Sequence, residues 1–155
     1  MTQLSINTTQ NVNINFTAAS VGDRIFAQLL DILVMIAYAV VVGVLLDITG
    51  LSTTIEAMDT WSVMGAYGII YSPIMFYTIV QESLWEGQTI GKRIMKTKVI
   101  KLDGYQAGFG DYLIRWLFRL VEILIGYGII ALIAIISSKK SQRLGDRAAG
   151  TAVIT

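Results

Sequence analysis

Two ionisable side chains, Arg24 and Asp31, lie in one long apolar stretch of the chain. From Ile25 to Leu46 only Gln28 and Asp31 interrupt the apolar run, which as a helix is long enough to cross a bilayer at about 1.5 Å per residue. A carboxylate inside such a segment costs roughly 2.5–3.5 kcal/mol. That cost requires a partner, a water-filled cavity or a role in moving ions. Asp31 is therefore the first candidate to bind a monovalent cation or a proton.

The partners of Arg24 and Asp31 are expected elsewhere in the chain. Seven residues separate the two side chains, which places them on nearly the same helix face about 10 Å apart along the axis. Arg24 has two candidate partners, the lipid headgroups and Asp146, and the alternative role of Asp146 is a helix cap or turn residue. An Asp31 that meets an arginine stays ionised and locks helices together, whereas an Asp31 buried alone could carry a proton.

A later apolar segment supplies the arginines. Arg115, Arg119 and Glu122 follow one another at helical spacing and form a polar stripe on an otherwise apolar helix. Arg115 and Arg119 are candidate partners for Asp31, and Glu122 is expected to pair with one of these two arginines. The sequence thus predicts an ion or proton site at Asp31, Arg24 and Asp146, with three further residues as charge partners.

Composition favours a small membrane protein and argues against several other classes. Hydrophobic residues make up 54% of the chain and charged residues 15%, against roughly 25% in soluble domains. The mean hydropathy is +0.63. A net charge of +1 gives no support for nucleic-acid binding. The absence of His and Cys removes most zinc sites and hydrolytic triads. We therefore expect no enzyme, no catalytic residue, no metal site and no cofactor, and no cleaved signal peptide in residues 1–20.

Hydropathy divides the chain into a polar segment, residues 1–20, and a membrane domain, residues 21–155. We expect an all-α membrane protein with helices at about 21–46, 61–81 and 113–136, a basic loop at 82–112 and a tail at 137–155. The 47–60 loop has no basic residue, whereas the 82–112 segment has five and the tail has four. The positive-inside rule therefore puts the basic loop, the tail and the N-terminus in the cytoplasm. The third helical segment is then re-entrant or interfacial, broken near Gly126–Gly128, with a straight span as the alternative.

Short strands are predicted at both ends of the chain. Leu4, Ile6, Val12, Ile14 and Phe16 occupy even positions, a period typical of strands, and a disordered tail is the alternative. The segment KTKVIKLDGY predicts a strand followed by a hairpin turn at Asp103-Gly104. A re-entrant third segment would also let the terminal TAVIT pair with KTKVIKL, forming a small cytoplasmic β element at the membrane surface.

Three blocks of the sequence resemble the RDD family of small membrane proteins. These are the Arg-x6-Asp spacing of the first helix, then GQTIGKRIMKTKVI, then RLGDRAAGTAVIT. The family is named for one arginine and two aspartates, which correspond here to Arg24, Asp31 and Asp146. Ala27 also matches the family pattern. A glycine common in the family is replaced by Lys96. The resemblance implies a bacterial cytoplasmic membrane protein for which transport is suspected, and some members are described as monovalent cation/proton antiporters.

Two functions of different class follow. The first is a transport component that handles a monovalent cation or proton at the buried Arg/Asp site. Two spans are too few for an alternating-access pathway, so transport requires a homo-oligomer or a partner membrane protein. Gly43, Gly65 and Gly68 are candidate contacts for such an assembly. The alternative is a non-transporting adaptor or assembly module with a basic cytoplasmic surface, in which the charges are purely structural.

Overall fold

The computed structural model describes residues 3–7, 13–103, 105–126, 129–138 and 142–155, with side chains from residue 16 onward except 123–132. The described part is mostly helical, with two short strand pairs. Its contacts divide the chain into unit 1, residues 1–30 with 78–155, and unit 2, residues 31–77. The helices are α1 Val21–Ile48, α2 Leu51–Glu56, α3 Thr60–Leu84, α4 Ile90–Ile94, α5 Phe109–Gly126, α6 Ile129–Ser137 and α7 Leu144–Ala148; the strands are β1 Gln3–Asn7, β2 Asn13–Thr17, β3 Lys98–Lys101 and β4 Thr151–Ile154.

Two helices, α1 and α3, are long and apolar enough to span a membrane. They have 28 and 25 residues, and only 6% of the most apolar stretch of each is buried within the protein. A helix with apolar residues exposed on this scale needs an apolar surrounding. At its start, α1 has a reciprocal cap: the Asp23 N–H donates to Ser20 Oγ at 3.0 Å and the Ser20 N–H to Asp23 Oδ2 at 3.2 Å.

Unit 2 contains most of α1 and α3 with α2 in the loop between them. The sequence predicts this loop without the α2 helix, which begins after Gly50 in a left-handed conformation, φ 71°. The Tyr38 hydroxyl donates to the Ile70 carbonyl at 2.9 Å and so joins the two long helices within unit 2. Helix α3 continues through Pro73. The two long helices of unit 2 are therefore connected by a hydrogen bond.

The third apolar segment consists of two helices. Helix α5 ends at Gly126 and α6 begins at Ile129, whereas residues 127–128 lie outside the described part of the chain. Of the described helices, neither of these two meets the length and hydropathy of a spanning helix. Helix α5 is amphipathic: Tyr112 and Glu122 are buried, while Leu117 and Val121 are about half exposed. Its depth in the membrane, and the side of the membrane on which it lies, stay predictions.

The strands form two antiparallel pairs. Strand β1 pairs with β2, which confirms the strand prediction for the N-terminal segment. Strand β3 pairs with β4, as predicted for KTKVIKL and TAVIT. The hairpin prediction at Asp103-Gly104 is wrong, because residues 105–108 form no strand and β3 pairs with the distant β4. Gly104 itself lies outside the described residues. The Asp-Gly sequence is typical of a hairpin turn, but β3 pairs with β4 instead of with a strand that follows the turn.

Strand β4 is held on both edges. On one edge it pairs with β3, and on the other Ala18 bridges to Ile154 while the Ala19 N–H donates to the Val153 carbonyl at 3.0 Å. The sheet packs into the core of unit 1, whose buried members come from five separate segments: Ala19, Ile79, Val99, Ala107, Tyr112 and Val153. This core brings the start of α1, the end of α3, α5 and the tail to one place.

Candidate functional site

Arg24 and Asp146 form a buried ion pair in unit 1. Arg24 Nη1 lies 3.5 Å from Asp146 Oδ2, and both side chains are 3% exposed. The guanidinium also donates from Nε to the Ala19 carbonyl and from Nη2 to the Val153 carbonyl, each at 3.3 Å. The first turn of α1 presents Arg24 to the edge of β4, and α7 presents Asp146 from the other side. The structure thus brings together two of the three predicted site residues.

Arg115 of α5 extends this pair to a second carboxylate. Its Nη1 donates to an oxygen of Asp146 and, at 2.9 Å, to the hydroxyl of Thr151. Its Nε lies 3.6 Å from Glu82 Oε2. Arg115 therefore bridges the tail to the last turn of α3. In the sequence, Arg115 was predicted as a partner of Asp31; the structure pairs it with Asp146 and Glu82.

Glu82 and Lys92 complete the arrangement. The Lys92 ammonium donates to Glu82 Oε1, and the Glu82 side chain is 4% exposed. Burial lowers the pKa of Lys92 from its ordinary value of 10.5, while the Glu82 charge opposes this shift. We call Arg24, Asp146, Arg115, Glu82 and Lys92 the charged cluster. Its charges alternate in sign along the chain of contacts, so each buried carboxylate lies between two cations.

Sequence reasoning missed Glu82 and Lys92. The sequence predicts Glu82 at the start of the basic loop, after an uncharged apolar segment, and Lys92 as one of the five basic residues of that loop. The structure extends α3 to Leu84, which puts Glu82 inside the helix, and buries it. One available signal was charge balance, since two buried arginines facing a single Asp146 require a further acid.

The carboxylate of Asp146 is held in its charged form. Burial acts to raise its pKa, but Arg115 first, then Arg143, the Arg143 backbone N–H and Arg24 bring the pKa below its ordinary value of 3.8. The Arg143 N–H donates to Asp146 Oδ2 at 3.1 Å, so the same carboxylate caps α7. Asp146 is therefore both a helix cap and an ion-pair partner, two roles that the sequence left as alternatives.

Gly145 lets α7 approach α5 closely enough for these contacts. A Cβ at this position would lie 3.0 Å from the Cβ of Phe118 and 3.3 Å from the backbone oxygen of Arg115. These distances are shorter than ordinary carbon contacts. The structure thus explains the Gly145-Asp146 pair: the glycine allows α7 to approach α5, and Asp146 then contacts Arg115.

Asp31 lies in unit 2. Its side chain is buried, with 2% of the residue exposed, and its Oδ1 accepts a hydrogen bond from the Tyr77 hydroxyl at 2.9 Å. Tyr77 lies on α3, so the hydrogen bond crosses between the two long helices of unit 2. The sequence does not predict Tyr77 as a partner of this carboxylate.

Arg119 and Glu122 have partners that the sequence did not predict. Arg119 donates to the hydroxyl of Thr78 at 2.8 Å and to the side-chain oxygen of Gln28. Glu122 is buried at 4% exposure and lies against the start of α7, near Arg143 and the backbone N–H of Leu144. Both side chains therefore tie α5 to neighbouring elements of unit 1.

The chemistry open to these groups is electrostatic. Among the described residues no group of three or more acidic side chains is placed to hold a metal ion. The charged cluster offers paired charges in which each acid is neutralised by its neighbours. Asp31 offers a buried carboxylate that accepts a hydrogen bond from a phenolic hydroxyl within the two apolar helices of unit 2.

The exposed apolar helices and the buried charges at their ends indicate the class of an integral membrane protein. The sequence profile of the RDD family matches residues 18–150, so this chain belongs to the RDD family. A similar curated protein is the uncharacterized protein YckC of Bacillus subtilis (strain 168), 32% identical over 83 residues. The match covers 52% of this chain and 55% of that protein, about half of its length. No solved structure matches the chain.

Proposed function

We propose that the chain is a component of a membrane transport assembly that handles a monovalent cation or a proton at Asp31. The observation that carries the proposal is the buried Asp31 carboxylate with its Tyr77 hydroxyl donor, inside the apolar helices of unit 2. A carboxylate in such a place binds either a proton or a cation, and exchange between the two is the basis of coupled transport. Tyr77 holds the carboxylate oxygen in position through either state.

In this proposal Arg24 and Asp146 have a structural role in unit 1 and are not ligands of the ion. They belong to the charged cluster, where their charges neutralise each other and fix the start of α1 to the tail. This differs from a site in which all three residues bind one ion. Their substitution is expected to lower stability rather than to remove ion exchange selectively.

Transport by two long helices requires further helices from other chains. A homo-oligomer or a partner membrane protein would supply them. On α3, a Cβ added at Gly65 or Gly68 meets no described atom within 4 Å, so these positions are open to a second helix. A Cβ added at Gly43 would lie 4.0 Å from the hydroxyl oxygen of Tyr71 within unit 2, so Gly43 faces a residue of its own chain.

Ion flux across everted membrane vesicles from cells that express the protein tests the proposal, because any partner subunit is retained. We expect proton-coupled Na⁺, Li⁺ or K⁺ flux with the wild type and none with Asp31→Asn. Asp47→Asn is the matched control, since Asp47 lies in the exposed last turn of the same helix. Equal flux with wild type and Asp31→Asn, at equal amounts of folded protein, would overturn the site assignment.

The second candidate is a non-transporting membrane adaptor, and the charged cluster favours it. A cluster in which every acid faces two cations is suited to holding elements in place, so all the charged residues would then be structural. This candidate predicts no protein-dependent flux from the wild type and loss of folded protein in Asp31→Asn. Measuring the amount of folded protein beside the flux distinguishes the two candidates.

A further inference from the structure

The polypeptide turns sharply where α3 ends, and this corner carries an unusual pair of side chains. Leu84 is the last residue of α3 and Trp85 follows it. Arg93 of helix α4 lies over the Trp85 ring, and its guanidinium carbon is 4.9 Å from the ring centroid. We propose that this corner binds the phosphate of an anionic phospholipid, with Arg93 on the phosphate and the neighbouring apolar side chains in the acyl region.

Arg93 has the geometry and the free charge that a phosphate needs. Stacking on Trp85 uses the face of the guanidinium and leaves its N–H edge open for bidentate hydrogen bonds. Within the part of the chain that the structure describes, no carboxylate lies within salt-bridge distance of Arg93. The preceding residue, Lys92, differs because it is buried against Glu82. Arg93 is exposed, and its charge faces outward.

A second cation stands close along the chain. Lys96 is exposed and adopts a left-handed conformation, φ 54°, in the turn after α4. The nearest acid in the sequence of this corner, Glu86, is paired with Lys98 at 3.1 Å. The corner therefore carries two positive charges, and charge complementarity selects an anionic lipid over a zwitterionic one.

Two apolar side chains flank the cations. Leu84 is 73% exposed and Ile94 is 59% exposed. A helix of 25 residues measures about 37 Å, more than the roughly 30 Å of a hydrocarbon core, so its end reaches the headgroup layer. At that depth Trp85 occupies the level that tryptophan prefers, and the two apolar side chains point to the edge of the acyl chains. The depth of the corner in the membrane and its positive charge therefore both favour binding of an anionic lipid headgroup.

Quenching of tryptophan fluorescence by brominated lipids tests the proposal on the full chain in phosphatidylcholine vesicles. The Trp85 signal is obtained as the difference between wild type and Trp85→Phe. We expect brominated phosphatidylglycerol to quench this signal about fivefold more effectively than brominated phosphatidylcholine at equal mole fraction, the factor for one basic residue at an anionic surface. Arg93→Gln should reduce the preference and Arg93→Lys should keep most of it. Arg147→Gln, at an exposed cation outside the corner, is the matched control and should leave the preference unchanged.

Three results would overturn the proposal. One is equal quenching by the two lipids in the wild type. Another is an unchanged preference in Arg93→Gln, with folding verified by an unaltered thermal transition. The third is loss of the preference on adding inorganic phosphate, but not sodium chloride of the same ionic strength, which would reassign the corner to free phosphate.

Discussion

Arg24 of the first helix and Asp146 of the tail lie 3.5 Å apart and are both almost fully buried. Arg24 lies at the start of the long helix α1, and Asp146 lies in α7, a helix of only five residues. A single turn of helix is unstable in isolation. The ion pair and the contact with Arg115 therefore hold α7 in place as well as joining the two ends of the domain.

Replacing Asp146 by Asn should destabilise the fold strongly. The substitution keeps the shape but leaves Arg24 and Arg115 with one buried acid fewer, at an expected cost of about 3 kcal/mol. The measurement is the free energy of unfolding in detergent, followed by circular dichroism. Asp103→Asn is the matched control, because Asp103 is exposed. Equal stability of the two variants would show that the Arg24–Asp146 ion pair makes no net contribution to the free energy of unfolding.

Coupling between the pair is measured by a double-mutant cycle. Arg24→Gln, Asp146→Asn and the double variant should be non-additive by about 1–3 kcal/mol, since each single change leaves a buried charge behind and the double change removes both. Additive losses would mean that the two side chains stabilise the fold independently, through their hydrogen bonds to backbone groups.

Acid should weaken the protein through Asp146. Its folded-state pKa lies below the ordinary value of 3.8, so its contribution to stability is complete above that value and is lost as the pH falls through the folded pKa. Thermal transitions recorded from neutral pH downward should fall below about pH 4 in the wild type. The fall should be shallower in Asp146→Asn. Identical pH profiles would place the acid sensitivity in other carboxylates.

Gly145→Ala should separate α7 from α5. The added methyl group would lie 3.0 Å from the Cβ of Phe118, so a backbone shift is needed, and we expect a loss of about 1–3 kcal/mol. Gly110→Ala is the control in α5, where a Cβ meets no described atom within 4 Å. Urea unfolding of both variants is the check, and a neutral Gly145→Ala would show that α7 adjusts freely.

Lys96→Gly should raise stability. Lys96 has a φ of 54°, a left-handed conformation that costs a side-chain-bearing residue about 1–2 kcal/mol and a glycine very little. After the larger entropy loss of glycine, we expect a gain of up to about 1 kcal/mol in the free energy of unfolding. Lys98→Gly, in strand β3, should lower it instead. A loss with Lys96→Gly would mean that the lysine side chain contributes contacts that outweigh the backbone strain.

Local patterns predicted the elements of this fold well. The apolar runs predicted α1 and α3 to within a few residues, and period-two spacing predicted strands in the N-terminal segment and in KTKVIKL. The pairing of β3 with β4 was expected from a re-entrant third segment. Lys96 was the one noted departure from the family pattern, and the structure gives it a glycine-like conformation. The sequence did not predict the short helices α2, α4 and α7. Each is only one or two turns long and is stabilised by caps and tertiary contacts rather than by an apolar pattern of its own.

Long-range pairing of charges could not be read from spacing. From the sequence alone, several acidic residues could pair with Arg115. Its pairing with Asp146 and Glu82 depends on how closely α7 and α3 approach α5. Gly145 permits that approach, yet a single glycine in a polar tail gives no hint of the helix it faces. The hydrogen bond from Tyr77 to Asp31 could not be predicted for a similar reason, because the amphipathic ring of a tyrosine near a helix end is more often placed at the membrane interface.

Strand β4, held between residues 17–19 and β3, has a consequence for biogenesis. The ribosome releases residues 17–24 and the first helix early, whereas residues 146–155 are synthesised last among the described elements. During that interval the guanidinium of Arg24 is without Asp146, and the edge beside Ala18 is without its strand. Insertion of the helices is thus separated in time from closure of the domain, and a chain stalled before residue 146 carries an open strand edge beside Ala18 and an Arg24 charge that Asp146 does not neutralise.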